Sequence, residues 1–233
     1  MFECKFIKSF PREIIAVDEV GRGPLGGPVV IGGVRIRIEN EAELTALTRS
    51  LRSRGVRDSK ELKAEDRQHL IQKLHVENLP HQMKGQITLK DWQISFVTWE
   101  MCHETIDREN ILAATLRGMK EAALFLSESE KNETTVFIDG NQKLRWVTEA
   151  PQWEEITVIE GDSKSVLIGL ASIIAKEKRD AHMREMHELY PHYGFNTNAG
   201  YGTAEHRKAI EKYGPCPIHR KTFGGVKEFV GAQ

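Results

Sequence analysis

Short apolar runs alternate with longer periodic ones along the chain. EIIAVDEV (13–20) is a brief, β-branched apolar run and predicts a buried strand. GGPVVIGGVRIRI (26–38) predicts a second strand, closing on the alternation of Val34, Ile36 and Ile38. KGQITLKDW (84–92) gives a weaker strand signal. TTVFIDG (134–140) and EEITVIEGD (154–162) predict two more, each ending in an Asp/Gly pair. Helical periods lie between. Leu112, Leu116, Met119, Ala123 and Leu126 recur at steps of four and three, so segment 105–128 reads as one helix with a single apolar face. AEDRQHLIQKLH (64–75) is a shorter amphipathic helix. Segment 166–190 begins apolar and becomes charged, as a helix does on leaving a core. AEHRKAIEKYG (204–214) ends on Gly214 with a proline after it. Strands alternating with helices predict an α/β fold. No linker divides the chain, which reads as one domain over 1–233, with a core over about 13–203 and a C-terminal helical portion over about 204–233.

Composition narrows the function classes. The 233 residues are 39% hydrophobic and 29% charged, which excludes a wholly disordered chain. The net charge of −1 excludes a globally basic coat protein. Charge is uneven, however: residues 164–227 hold 11 lysines and arginines against 6 acids, a candidate face for a polyanion. Cys4, Cys102 and Cys216 are scattered and odd in number, so neither a disulfide framework nor a metal knuckle is expected, and a reducing, cytoplasmic setting fits. No run reaches the roughly 18 apolar residues of a membrane span, and the N-terminus lacks a signal-peptide core. His182, His187 and His192 are spaced by five, which does not align them on one helical face for zinc. Trp92, Trp99, Trp146 and Trp153 read as packing residues rather than stacking platforms.

The candidate chemistry sits at strand ends. Asp18 and Glu19 close the first strand, Asp139 the fourth and Asp162 follows the fifth. Neighbours on a strand point to opposite faces, so the strand must bend or end there if both acids are to meet one ligand. A single Asp after a strand is commonly a turn former or a helix cap. Four together form a hard-oxygen cluster whose repulsion a divalent cation such as Mg²⁺ or Mn²⁺ relieves. Gly21, Gly23 and Gly26 spell GxGxxG, but Pro24 and Pro28 lead into a strand rather than the helix a dinucleotide fold requires.

DEVGRGPLGGPVV (18–30) resembles the opening motif of the type 2 ribonucleases H. DSKEL (58–62), IDRENILAATLRGM (106–119), FIDG (137–140), GD (161–162), ASIIAKEKRD (171–180), GYGT (200–203) and HRKTF (219–223) follow in that family's order. Arg22 is similar to type 2 rather than type 3 enzymes, which resemble DExGKG there. The resemblance implies a ribonuclease H-like fold, with a five-stranded mixed sheet flanked by helices. It implies metal-dependent hydrolysis of the RNA strand of RNA–DNA hybrids. It further implies incision of duplex DNA 5′ to embedded ribonucleotides, which leaves 3′-hydroxyl and 5′-phosphate ends and starts ribonucleotide excision repair. Asp18, Glu19, Asp139 and Asp162 would then be the catalytic carboxylates, holding one or two Mn²⁺ or Mg²⁺ ions. Gly21, Arg22 and Gly23 would read the 2′-hydroxyl, Tyr201 would stack on the neighbouring deoxyribose, and Ser59, Lys60 and Lys176 would contact phosphates. No obligate protein partner is implied, and a monomer is the expectation.

Departures from the family pattern are Val20 in place of Ala, no Lys just before GYGT, and Glu177-Lys178 in place of Val-Thr. Lys63 stands where Ser or Thr caps the next helix, which weakens that cap by about 1 kcal/mol. Residues 39–54 look longer than usual and predict an extra surface helix. Two other function classes stay open at this point: a hybrid-binding protein with little turnover, and a different nuclease of similar fold such as a junction resolvase. Loss of cleavage with retained binding in Asp139→Asn separates the first from an endonuclease, and a deoxyribose at the target position separates the second.

Overall fold

The computed structural model describes residues 2–76, 81–128, 133–144 and 153–231. The strands are β1 (Arg12–Val20), β2 (Val29–Ile38), β3 (Gly85–Leu89), β4 (Trp92–Met101), β5 (Thr134–Asp139) and β6 (Glu154–Val158). They form one mixed sheet in the order β3-β4-β2-β1-β5-β6. β1 to β4 pair antiparallel, whereas β5 runs parallel to β1 and β6 parallel to β5. The sheet therefore has six strands rather than the expected five. The additional strand is β4, whose Trp, Gln, Ser and Thr interrupt the apolar run by which the others announce themselves.

The helices are α1 (Glu41–Ser53), α2 (Ala64–Lys73), α3 (His103–Glu109), α4 (Ile111–Leu126), α5 (Gly161–Lys164), α6 (Val166–Leu189), α7 (Phe195–Asn198) and α8 (Ala204–Tyr213). The single helix expected over 105–128 is two. Asn110 sits between them at φ 71°, and its side chain accepts from the Ala113 N–H at 3.0 Å, capping α4. Leu112, in the first turn of α4, is exposed, while Leu116, Met119, Ala123 and Leu126 stay buried as expected. Helix α1 is no mere surface addition, because Leu44, Leu47 and Leu51 on one face are fully buried. Lys63 supplies no side-chain cap to α2.

Apolar clusters cover both faces of the sheet. Ala16, Ile36 and Phe137 pack on one side with α1 and α6, and Val17, Ile31 and Val136 on the other with α4. Gly32 lets α6 lie directly on β2, since a Cβ there would collide with the Ala171 carbonyl. A third cluster joins Leu25, Met183, Phe195, Ile210, Ile218 and Val226. It fastens α8 and the irregular chain after it to the loop between β1 and β2, where Gly26 bridges His219. Trp153 is buried, Trp92 and Trp99 pack against the clusters, and Trp146 lies outside the described residues. Among the described residues, no helix is long and apolar enough to cross a membrane.

Candidate active site

The parallel pairing of β1 with β5 builds the centre of the site. Val17 is level with Ile138, so the same register brings Asp18 level with Asp139 just past the last paired residues of the two strands. β1 does not end at Asp18–Glu19, since its pairing with β2 continues through Val20 and Val30. One ligand oxygen each from Asp18, Glu19 and Asp139 lies within 4.8 Å of the others.

Crowding leaves a signature on these acids. Burial raises Asp18 well above the ordinary carboxylate range, and the charges of Glu19 and Asp139 add to it. Burial pushes Glu19 up to about 7; Asp139 adds to this shift, whereas Arg22 opposes it with a guanidinium 3.3 Å from Glu19 Oε1. Asp18 and Glu19, two carboxyls that resist ionising beside a third, fit a hard divalent cation, which removes the cause of that resistance.

Asp162 is not part of this trio. It lies on α5 and is buried, with Oδ2 accepting from Lys60 Nζ at 2.7 Å and Oδ1 from the Ser163 N–H at 3.0 Å. Gly161, its neighbour, donates its N–H to Asp139 Oδ1 at 2.7 Å. Lys60 is raised from its usual value chiefly by its hydrogen bond to Asp162.

A cleft of about 370 Å³ opens over the trio. Its wall includes Gly21, Arg22, Gly23, Ser59, Lys60, Lys176 and Tyr201, so every residue singled out from the sequence except Asp162 borders it. The GxGxxG stretch runs into β2 without a helix, which removes the dinucleotide reading. Tyr201 is exposed, and its ring lies beside Gly23, where a Cβ would sit 3.5 Å from Cε1. Lys176 Nζ donates to Asp180 Oδ1 at 2.6 Å.

Some residues of the site carry no role in the sequence reading. Ser172 lies under the cleft, hydrogen bonded to buried Ser59 at 2.8 Å and to Asp18. Arg67 of α2 also lines the cleft and is held by Glu177 at 2.8 Å and Asp180 at 3.0 Å. Its Nη1 reaches back to the Leu62 carbonyl, which ties the loop carrying Ser59 and Lys60 to α6. The two departures in α6 thus have partners: Glu177 holds Arg67, and Lys178 pairs with Glu100 of β4 at 3.3 Å. Their signal lay in the sequence only as a mismatch to the family pattern.

The family model described as Ribonuclease HII matches residues 15–226. The chain belongs to the Ribonuclease HII family. Ribonuclease HII of Clostridium tetani is 37% identical over 222 residues, covering 94% of this chain and 70% of that protein. Ribonuclease HII of Chlamydia muridarum is 36% identical over 230 residues, covering 99% and 90%. Among solved structures, ribonuclease H2 from Pyrococcus horikoshii superposes with a TM-score of 0.64 at 23% identity, covering 93% of this chain and 96% of that one. At that identity the likeness establishes the ribonuclease H-like fold. Family membership makes the protein an endoribonuclease that acts on the RNA of RNA–DNA hybrids.

Proposed function

We propose that this Ribonuclease HII is a divalent-metal-dependent endonuclease that also nicks duplex DNA on the 5′ side of an embedded ribonucleotide, leaving 3′-hydroxyl and 5′-phosphate ends. One observation carries the reading: the Asp18–Glu19–Asp139 oxygens share one cleft with the Gly21–Gly23 backbone and with Tyr201. A centre for phosphodiester hydrolysis then lies beside groups that can distinguish ribose from deoxyribose.

Asp18, Glu19 and Asp139 would hold the ion, Mg²⁺ or Mn²⁺, with Asp162 available once Lys60 releases it. A divalent ion there supplies a Lewis acid and lowers the pKa of water. The backbone groups of Gly21, Arg22 and Gly23 contact the 2′-hydroxyl, the mark that separates RNA from DNA. The exposed ring of Tyr201 packs on the sugar of the adjoining deoxynucleotide. Lys60, Lys176 and Ser59 border the path of the strand and position its phosphates.

The test is a nicking assay on a DNA duplex holding one ribonucleotide, beside an all-DNA duplex and a long hybrid, with Mg²⁺, Mn²⁺ or chelator. A metal-dependent cut 5′ to the ribonucleotide is expected. Cleavage of the long hybrid alone would remove the proposed readout and keep the carboxylate centre. Silence on all three would remove the endonuclease reading.

A further inference from the structure

Two sequence motifs, ASIIAKEKRD and HRKTF, each contain an arginine that the chemistry above does not use. Arg179 and Arg220 are both fully buried, a rare state for arginine. Their guanidinium groups are spent on backbone carbonyls. Arg220 donates through Nη2 to Gly21 O at 2.6 Å, through Nη1 to Arg22 O at 2.8 Å and through Nε to Gly27 O at 3.0 Å. Arg179 donates to Pro28 O at 3.1 Å, Ala199 O at 2.9 Å and Gly26 O at 3.3 Å. Between them they grip both ends of the β1–β2 loop, at Gly21–Arg22 and at Gly26–Pro28, and the residue preceding Gly200-Tyr201.

Peptide geometry turns this grip into an orientation. In a planar trans peptide, the C=O of one residue and the N–H of the next point in opposite directions. Drawing the carbonyls of Gly21 and Arg22 inward onto Arg220 therefore turns the N–H groups of Arg22 and Gly23 away from it, toward the cleft that these residues line. Gly21, at φ +100°, packs so closely on Arg179 that a Cβ would fall on the guanidinium. A rigid fork presents five donors on three separate nitrogens at fixed angles, whereas a lysine ammonium gathers its three donors on one nitrogen and cannot span the same carbonyls in this geometry. Burial, with the neighbouring Arg179 adding to it, lowers Arg220 to about 9, so it remains cationic at neutral pH and places positive charge behind the loop.

We propose that Arg220 and Arg179 are positioning residues for ribose recognition: Arg220 fixes the peptide planes of residues 21–23, and Arg179, packed on Gly21 and bonded to Gly26 and Pro28, holds the loop in place, so that its N–H groups meet the substrate. This rests on the reading of that loop as the 2′-hydroxyl contact. The test compares binding of a one-ribonucleotide duplex and the matching all-DNA duplex, measured in chelator, for wild type, Arg220→Lys and Arg179→Lys. Wild type is expected to prefer the ribonucleotide duplex. Arg220→Lys should shrink that preference by about tenfold, with affinity for all-DNA duplex and calorimetric Mn²⁺ binding little changed. Arg179→Lys should act in the same direction. An unchanged preference in a folded Arg220→Lys protein would overturn the proposal. So would equal weakening on both duplexes, because a generally loosened fold does that. If neither variant shows a cooperative melt, the arginines are folding determinants and the proposal fails. A wild type that binds both duplexes equally would remove the readout reading itself, and this proposal with it.

Discussion

His206 Nε2 lies 3.0 Å from His219 Nε2, and their outer partners determine which of the two carries the proton. The Cys216 N–H, 2.9 Å from His219 Nδ1, can only donate and lies nearer than the Cys216 carbonyl at 3.3 Å, which favours the hydrogen of His219 on Nε2. The Tyr201 carbonyl, 2.9 Å from His206 Nδ1, can only accept, so His206 carries its hydrogen on Nδ1. The hydrogen bonds then run one way, from Cys216 through both rings to Tyr201. Adding a proton to either ring sets two N–H groups against each other.

This pair makes the protein acid-sensitive. Burial, with His206 beside it, lowers His219 from 6.5 to about 4, and burial lowers His206 as well. The unfolded chain takes up a proton below about pH 6.5, whereas the folded one refuses it until about pH 4. The stabilisation is full above the higher value and is lost as pH falls through the window, by roughly 3 kcal/mol for His219. Urea midpoints between about pH 7 and about pH 4 should fall for wild type. His219→Leu should begin lower and show a shallower slope. Parallel slopes would mean that other groups cause the acid loss.

The acidic trio opposes stability in the absence of metal. Asp139→Asn removes one of three crowded charges, so the metal-free variant should melt above wild type. Cleavage should fall by about three orders of magnitude or more, since several kcal/mol of charge stabilisation goes with the ligand. Duplex binding should persist. Mn²⁺ should raise the melting temperature of wild type far more than that of the variant, which differential scanning fluorimetry can read.

Much of this was written in the sequence, and the omissions share a cause. β1, β2 and β5 were legible because strands buried on both faces read as continuous apolar runs. β4 was not, because Ser95 and Thr98 are buried within it and look polar in the sequence. The break at Asn110 was hidden because the apolar period that marks the helix, Leu112 to Leu126, lies wholly beyond it. The Asp-Glu and Gly-Arg-Gly residues were legible because they are contiguous. Lys60 and Asp162, 102 positions apart, meet only through the fold. Arg179 and Arg220 counted only toward the candidate polyanion face, since nothing local reveals that their partners are carbonyls up to 199 positions away.

On the proposed metal reading, Lys60 competes with the cation for Asp162. It neutralises a buried carboxylate from an exposed stem, at 2.7 Å. Lys60→Met should leave Asp162 unpaired beside the trio, so calorimetry should record tighter Mn²⁺ binding. The same variant should bind duplex more weakly, with a salt dependence reduced by about one counterion. Weaker Mn²⁺ binding would show that Lys60 supports the metal site rather than competing with it.

Arg67 and Glu177 supply the final prediction, in which burial decides the sign. Both side chains are 8% exposed and lie 2.8 Å apart, and burial raises Glu177 against the pull of Arg67. Removing one member leaves a charge in a poorly solvated place, so Glu177→Val should cost about 2–3 kcal/mol, less than a fully isolated pair because Asp180 still reaches Arg67 at 3.0 Å. Removing both charges should cost less than removing one, because an apolar pair of similar volume carries no desolvation penalty. Arg67→Met with Glu177→Val should therefore unfold at a higher urea concentration than Glu177→Val alone. Activity should move the other way. Arg67 also holds the Leu62 carbonyl beneath the Ser59–Lys60 loop, so the double variant should bind duplex more weakly than its stability suggests. A double variant less stable than either single one would show that the pair holds α2 on α6 through geometry that apolar packing cannot replace.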